Sequence, residues 1–92
     1  MSLVLQYTST LSPGETQYLY NWGWDYGEIA RWYVMPTLTG FNVGKISLER
    51  TELESTIYGG NQQGTLTYWM TVTNTGGYPV EYNLYWETVP IQ

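Results

Sequence analysis

Gly64-Thr65-Leu66-Thr67-Tyr68-Trp69-Met70-Thr71-Val72-Thr73-Asn74 is followed by Thr75-Gly76-Gly77-Tyr78-Pro79. Then comes Val80-Glu81-Tyr82-Asn83-Leu84-Tyr85-Trp86-Glu87-Thr88. Both long runs alternate with a period of two. A β-strand sends successive side chains to opposite faces, so each run sorts into two rows. Leu66, Tyr68, Met70 and Val72 form one inward row, and Val80, Tyr82, Leu84 and Trp86 form another. The outward rows are Thr65, Thr67, Trp69, Thr71 and Thr73, then Glu81, Asn83, Tyr85 and Glu87. A helix would group residues three and four apart, and no such grouping occurs here.

The same period runs back through the chain. Strands are expected over residues 3–11, 16–24, 29–35 and 41–49, with a short one at 54–58. Ser12-Pro13-Gly14-Glu15 has Pro to set one φ and Gly to take a positive φ, the chemistry of a tight turn. Asp25-Tyr26-Gly27-Glu28 is expected to turn as well, Pro36 to end the third strand, and residues 59–64 to form a loop. Ser47-Leu48-Glu49-Arg50-Thr51-Glu52-Leu53-Glu54 has the composition of a helix when taken alone. Its Ser and Thr residues and its strand neighbours point instead to a strand with a bulge or corner near residues 50–52. The expected fold is all-β: one domain over residues 1–92, an antiparallel β-sandwich of six or seven strands, Ig-like in broad architecture.

Leu11-Ser12-Pro13-Gly14-Glu15-Thr16 and the stretch from Gly64 to Val80, with its Tyr68-Trp69-Met70-Thr71-Val72-Thr73-Asn74-Thr75-Gly76 core, resemble the bacterial Ig-like and CARDB-like adhesion modules. The likeness covers about a third of the chain, and the Trp-rich tract from Tyr20 to Met35 departs from it. It implies a sandwich fold and a role in surface binding, and it carries over no functional residue.

Composition excludes more than it selects. Charged residues make up 12% of the chain, and the net charge is −5. The cations are Arg31, Lys45 and Arg50 alone, too few and too scattered to track a phosphate backbone or an anionic membrane surface. Nucleic acid is therefore not an expected partner. No apolar run is long enough to span a membrane, and Met1-Ser2-Leu3-Val4-Leu5 does not read as a secretory signal. With no Cys and no His, thiolate sites, His-ligated metals and His-based nucleophilic triads are ruled out. A pair of carboxylates could in principle hydrolyse a glycoside, but such a groove usually needs a larger scaffold. The reading is of a non-enzyme without catalytic residues, cofactor or metal. Glu49, Glu52 and Glu54 read as a solvated face, and Asp25-Tyr26-Gly27-Glu28 as an ordinary turn.

The surplus is aromatic: five Trp, ten Tyr and one Phe, 17% of the chain. Trp32, Trp86, Tyr68 and Tyr82 stand among aliphatics and belong to a core. Tyr18, Tyr20, Trp22 and Trp24 share one parity on the second strand, more rings than a short strand needs inside. Trp69 stands among threonines, and Tyr85 between Asn83 and Glu87. Exposed rings beside polar side chains can stack on sugars, so Trp22, Trp24, Tyr26 and Trp69 are the candidate ligand-binding residues. The function expected is non-catalytic binding or adhesion, with a glycan as ligand. The alternative is a structural or protein-interaction domain that forms a homo-oligomer. Trp69 and Tyr85, paired on the last hairpin, would be its interface.

Overall fold

The computed structural model describes residues 3–24, 28–38, 43–58 and 63–90. Six strands run in chain order: β1 (Val4–Leu11), β2 (Thr16–Trp24), β3 (Glu28–Pro36), β4 (Ile46–Tyr58), β5 (Gln63–Asn74) and β6 (Val80–Pro90). They make an antiparallel sandwich of two three-stranded sheets, the first ordered β1-β6-β3 and the second β2-β5-β4. The orders β2-β5-β4 and β6-β3 match those of strands B-E-D and F-C in an immunoglobulin sandwich, with β1 beside β6 where strand G would lie. No helix among the described residues is long and apolar enough to cross a membrane.

Period-two patterning holds across the central strands. Leu66, Tyr68, Met70 and Val72 of β5 face Val80, Tyr82 and Leu84 of β6, and all are buried. Trp86, Trp32 and Val34 continue these rows as half-buried residues. The core divides along its length. Leu11, Val72, Val80, Tyr82 and Leu84 cluster near one end, and Ala30, Leu66, Tyr68 and Met70 near the other.

Polar side chains stitch the sheets together. Tyr82 Oη donates to Gln17 Oε1 at 2.7 Å, and Gln17 Nε2 donates to Tyr7 Oη at 2.7 Å. Burial, with nearby Tyr7 as the lesser cause, pushes the Tyr82 hydroxyl up from 10.0 to about 12. Trp86 Nε1 donates to Gln6 Oε1 at 3.0 Å, and Gln6 Nε2 to Asn21 Oδ1 at 3.1 Å. The Ala30 amide on edge strand β3 donates to Tyr68 Oη across the core at 2.9 Å.

Two expectations about connections are corrected. β5 and β6 do not form a hairpin, because they belong to different sheets. The fully buried Asn74 side chain sets this arch. Its Nδ2 donates to the carbonyls of Leu11 and Tyr78, and its Oδ1 accepts from the Gly76 amide. Asn74 N also donates to Glu15 O, which ties the end of β5 to the β1–β2 turn. Pro79 cannot donate where a hairpin rung would need an amide. The second correction concerns residues 41–58. Val43, Gly44 and Lys45 are not in a strand, and one continuous β4 replaces the two expected strands. Thr51 is absorbed as an extra residue between Arg50↔Met70 and Glu52↔Trp69, the bulge anticipated at residues 50–52.

The β1–β2 turn is as read: Glu15 N bonds Ser12 O at 3.0 Å, with Gly14 at φ 79°. Glu28, read as part of the next turn, begins β3. The remainder of that turn (residues 25–27), the start expected for the fourth strand and residues 59–62 of the expected loop lie outside the described residues.

Candidate functional site

The site forms on the outer face of the second sheet, and two bulges compose it. On β2 the ladder runs Tyr18↔Thr71, Tyr20↔Trp69, Asn21↔Tyr68, and then skips to Trp24↔Leu66. Gly23, at φ 87°, takes a conformation that a side chain would strain, and the extra residue reverses the parity beyond it. Tyr18, Tyr20 and Trp22 therefore stay outside, exposed by 79%, 58% and 74%. Trp24 turns inward.

Trp24 is thus parted from Trp22 and Trp69, the candidates with which it was grouped. Its ring meets Trp86 at 4.8 Å, Trp32 at 5.6 Å and Tyr68 at 6.1 Å, all close to edge-on, the geometry favoured by aromatic quadrupoles. It closes one end of the core, and only its rim borders a hollow of about 240 Å³ with Gly23, Glu28, Trp86 and Thr88. Inside this cluster the Trp32 indole N–H has no acceptor among the described residues.

On β4 the Thr51 bulge does the converse. Simple alternation would set Glu49 and Glu52 on opposite faces. Instead Glu49 registers with Thr71, Glu52 with Trp69 and Glu54 with Thr67, which brings all three carboxylates to the outer face. The sequence reading missed this row, although the bulge that produces it was expected.

Trp69 lies where the rows meet. Tyr20 stacks on it at 5.1 Å and 28°, and its Nε1 donates to Glu54 Oε1 at 3.0 Å. The ring stays 38% exposed and lines a shallow hollow of about 370 Å³ with Glu52 and Glu54. Among the described residues, no hydrogen bond or ion pair engages the side chain of Glu49 or Glu52, and neither Tyr18 nor Trp22 stacks on another ring. The face can offer ring surfaces for stacking and carboxylate oxygens as acceptors.

Tyr85 is not part of this face. It lies on β6, registered with Leu5 and Tyr33, on the outer side of the first sheet. Trp69 and Tyr85 are therefore on opposite sides of the sandwich and cannot form one shared interface patch, because the connection between β5 and β6 crosses between the sheets. Tyr26 lies outside the described residues.

The described residues contain no group of three His, Cys, Asp or Glu arranged to hold a metal ion. Neither the family models, nor the curated proteins, nor the solved structures give a match to this chain.

Proposed function

We propose that this chain is a non-catalytic carbohydrate-binding or adhesion module, and that its ligand lies on the outer face of β2-β5-β4. The observation that carries this reading is the row Tyr18, Tyr20 and Trp22, strongly exposed beside the half-open Trp69 ring. Large rings left in water cost free energy unless something covers them, on the order of 25 cal/mol per Å² of apolar surface. Sugars suit such a row because their C–H faces stack on rings while their hydroxyls bond neighbouring carboxylates. Glu52 and Glu54 beside Trp69 supply those acceptors. The likeness to bacterial adhesion modules points the same way.

The test is a broad glycan array probed with the wild-type domain and with Trp22→Ala. Wild type should bind a subset of glycans, and Trp22→Ala should lose them while keeping its strand spectrum. A blank array for a folded, soluble wild type would overturn the reading.

A second reading, self-association, is favoured by the other sheet. There Leu5, Ile29 and Met35 are 54%, 46% and 59% exposed on the side that carries Tyr85. Light scattering at high protein concentration reads it directly, and Met35→Lys should return an oligomer to monomer.

A further inference from the structure

The outer face of the second sheet is a shallow trough between unlike walls, crossed by Trp69, which stacks on Tyr20 and bonds Glu54. One wall is the aromatic row Tyr18, Tyr20 and Trp22 on edge strand β2. The other is the carboxylate row Glu49, Glu52 and Glu54 on edge strand β4. Between them β5 contributes Thr67, Trp69, Thr71 and Thr73, a floor of short side chains broken by one ring. Strands lie about 4.8 Å apart, so the walls stand roughly 10 Å from each other, and residues along each wall repeat about every 7 Å. The molecule is elongated. Its greatest extent is 54 Å, and its radius of gyration is 15.4 Å, against about 12 Å for a compact chain of this length. The trough thus suits an extended ligand.

Its charge is one-sided. Of the two cations near it, Arg50 registers with the core-facing Met70 and so sits on the other side of the ladder from the glutamates, and Lys45 lies at the far end of the carboxylate row, four residues before Glu49. The chain carries a net −5. An acidic glycan would be repelled. A neutral one would meet Glu49 and Glu52 through hydroxyl bonds alone and leave their negative charge unbalanced. We infer that the ligand is an extended chain of sugars bearing protonated amino groups, with its rings on the aromatic wall and its ammonium groups along the carboxylate wall. This rests on the carbohydrate reading and names the ligand class within it.

The experiment is calorimetric titration of the whole chain with an oligomer of β-1,4-linked glucosamine and with its N-acetylated counterpart of equal length. It is run at mildly acidic pH, where the free amines are charged. Several exposed charge pairs acting together should favour the amine-bearing oligomer by about tenfold. Added salt should narrow the gap by screening. Glu49→Gln alone should narrow the preference while still binding the acetylated oligomer, Glu49→Gln/Glu52→Gln should erase the preference, and Trp22→Ala should weaken binding of both oligomers. Circular dichroism checks that each variant is folded.

Equal affinity for the two oligomers, indifferent to salt and to the Gln substitutions, would overturn the charge inference and leave carbohydrate binding standing. No affinity for either oligomer would overturn it too, and a blank glycan array would then remove the carbohydrate reading itself. A lysine oligomer of equal charge that binds as tightly as the glucosamine oligomer, unaffected by Trp22→Ala, would show that the face reads cations alone.

Discussion

The two outer faces of this sandwich are built on the same inner pattern and finished differently. On the first sheet the polar groups satisfy one another. Tyr33 donates to Glu87 at 2.7 Å, Arg31 approaches the same carboxylate at 3.9 Å, and Thr8 donates to Asn83, which donates to Tyr85. Thr37 closes on Glu81. On the second sheet Glu54 accepts from Trp69 and Thr16 pairs with Thr73, while Glu49, Glu52, Tyr18 and Trp22 face water. A group that already has a partner gains little from a ligand, because a new bond must replace an old one. The second face is the one whose groups are still uncommitted, as the proposed recognition requires.

The contrast can be tested from the inside outward. If the inner rows are equivalent, Leu84→Ala in the first sheet and Met70→Ala in the second should each cost about 2–5 kcal/mol in denaturant unfolding. A large cost for one and almost none for the other would mean that the core belongs to a single sheet.

Alkaline titration probes the space between the faces. The Tyr82 hydroxyl is raised to about 12 in the fold, and an unfolded tyrosine ionises near 10. The folded state therefore holds this proton more tightly than the unfolded state. Its contribution is intact below about pH 10 and is lost as pH climbs towards about 12, roughly 2–3 kcal/mol in total. Tyr82→Phe should flatten the stability curve in that window. An unchanged slope would assign the alkaline loss to other groups.

Gly23→Val attacks the bulge that separates Trp22 outside from Trp24 inside. A β-branched side chain at positive φ should cost about 1–3 kcal/mol and loosen the Trp24 cluster. Near-UV circular dichroism would report the loosening, and a spectrum identical to wild type would mean that the bulge tolerates a side chain.

The smallest effects set the faces side by side. Tyr33→Phe on the first sheet removes the bond to Glu87 and should cost about 0.5–1.5 kcal/mol. Tyr18→Phe on the second removes a hydroxyl without a partner and should stay within about 0.5 kcal/mol of wild type. Equal losses at both positions would erase the distinction between a closed and an open face.

Alternation along β5 and β6 was enough to read the inner rows, because central strands paired on both sides keep strict parity. The edges were harder. Register shifts occur between Leu5 and Tyr7, Asn21 and Trp24, and Arg50 and Glu52, all in edge strands. Bulges collect at edges, where they also deter unwanted strand pairing. Each one reverses the parity that follows it. That is why Trp24 reads as exposed and lies inside, and why Glu49 and Glu52 read as divided and stand together. Gly23 within a strand was a visible sign of the first case. The separation of β5 from β6 depends on Asn74, Leu11 and Tyr78 meeting in space, which local sequence does not encode. Of the candidate ligand residues, Trp22 and Trp69 share the face, Tyr20 joins them by stacking, and Trp24 leaves it.

The parity switch at Gly23 also divides the chromophores. Trp24, Trp32 and Trp86 sit together in the core cluster, and Trp22 and Trp69 look outward from the second sheet. The native protein thus carries two optical populations. One is half-buried and electronically coupled through close ring contacts; the other is wet and open to collisional quenchers. Iodide or acrylamide should quench the second more strongly than the first, and an occupant of the trough should shield the second. Unfolding should instead announce itself through the first. Occupancy and integrity can therefore be followed separately in one cuvette, with no label attached.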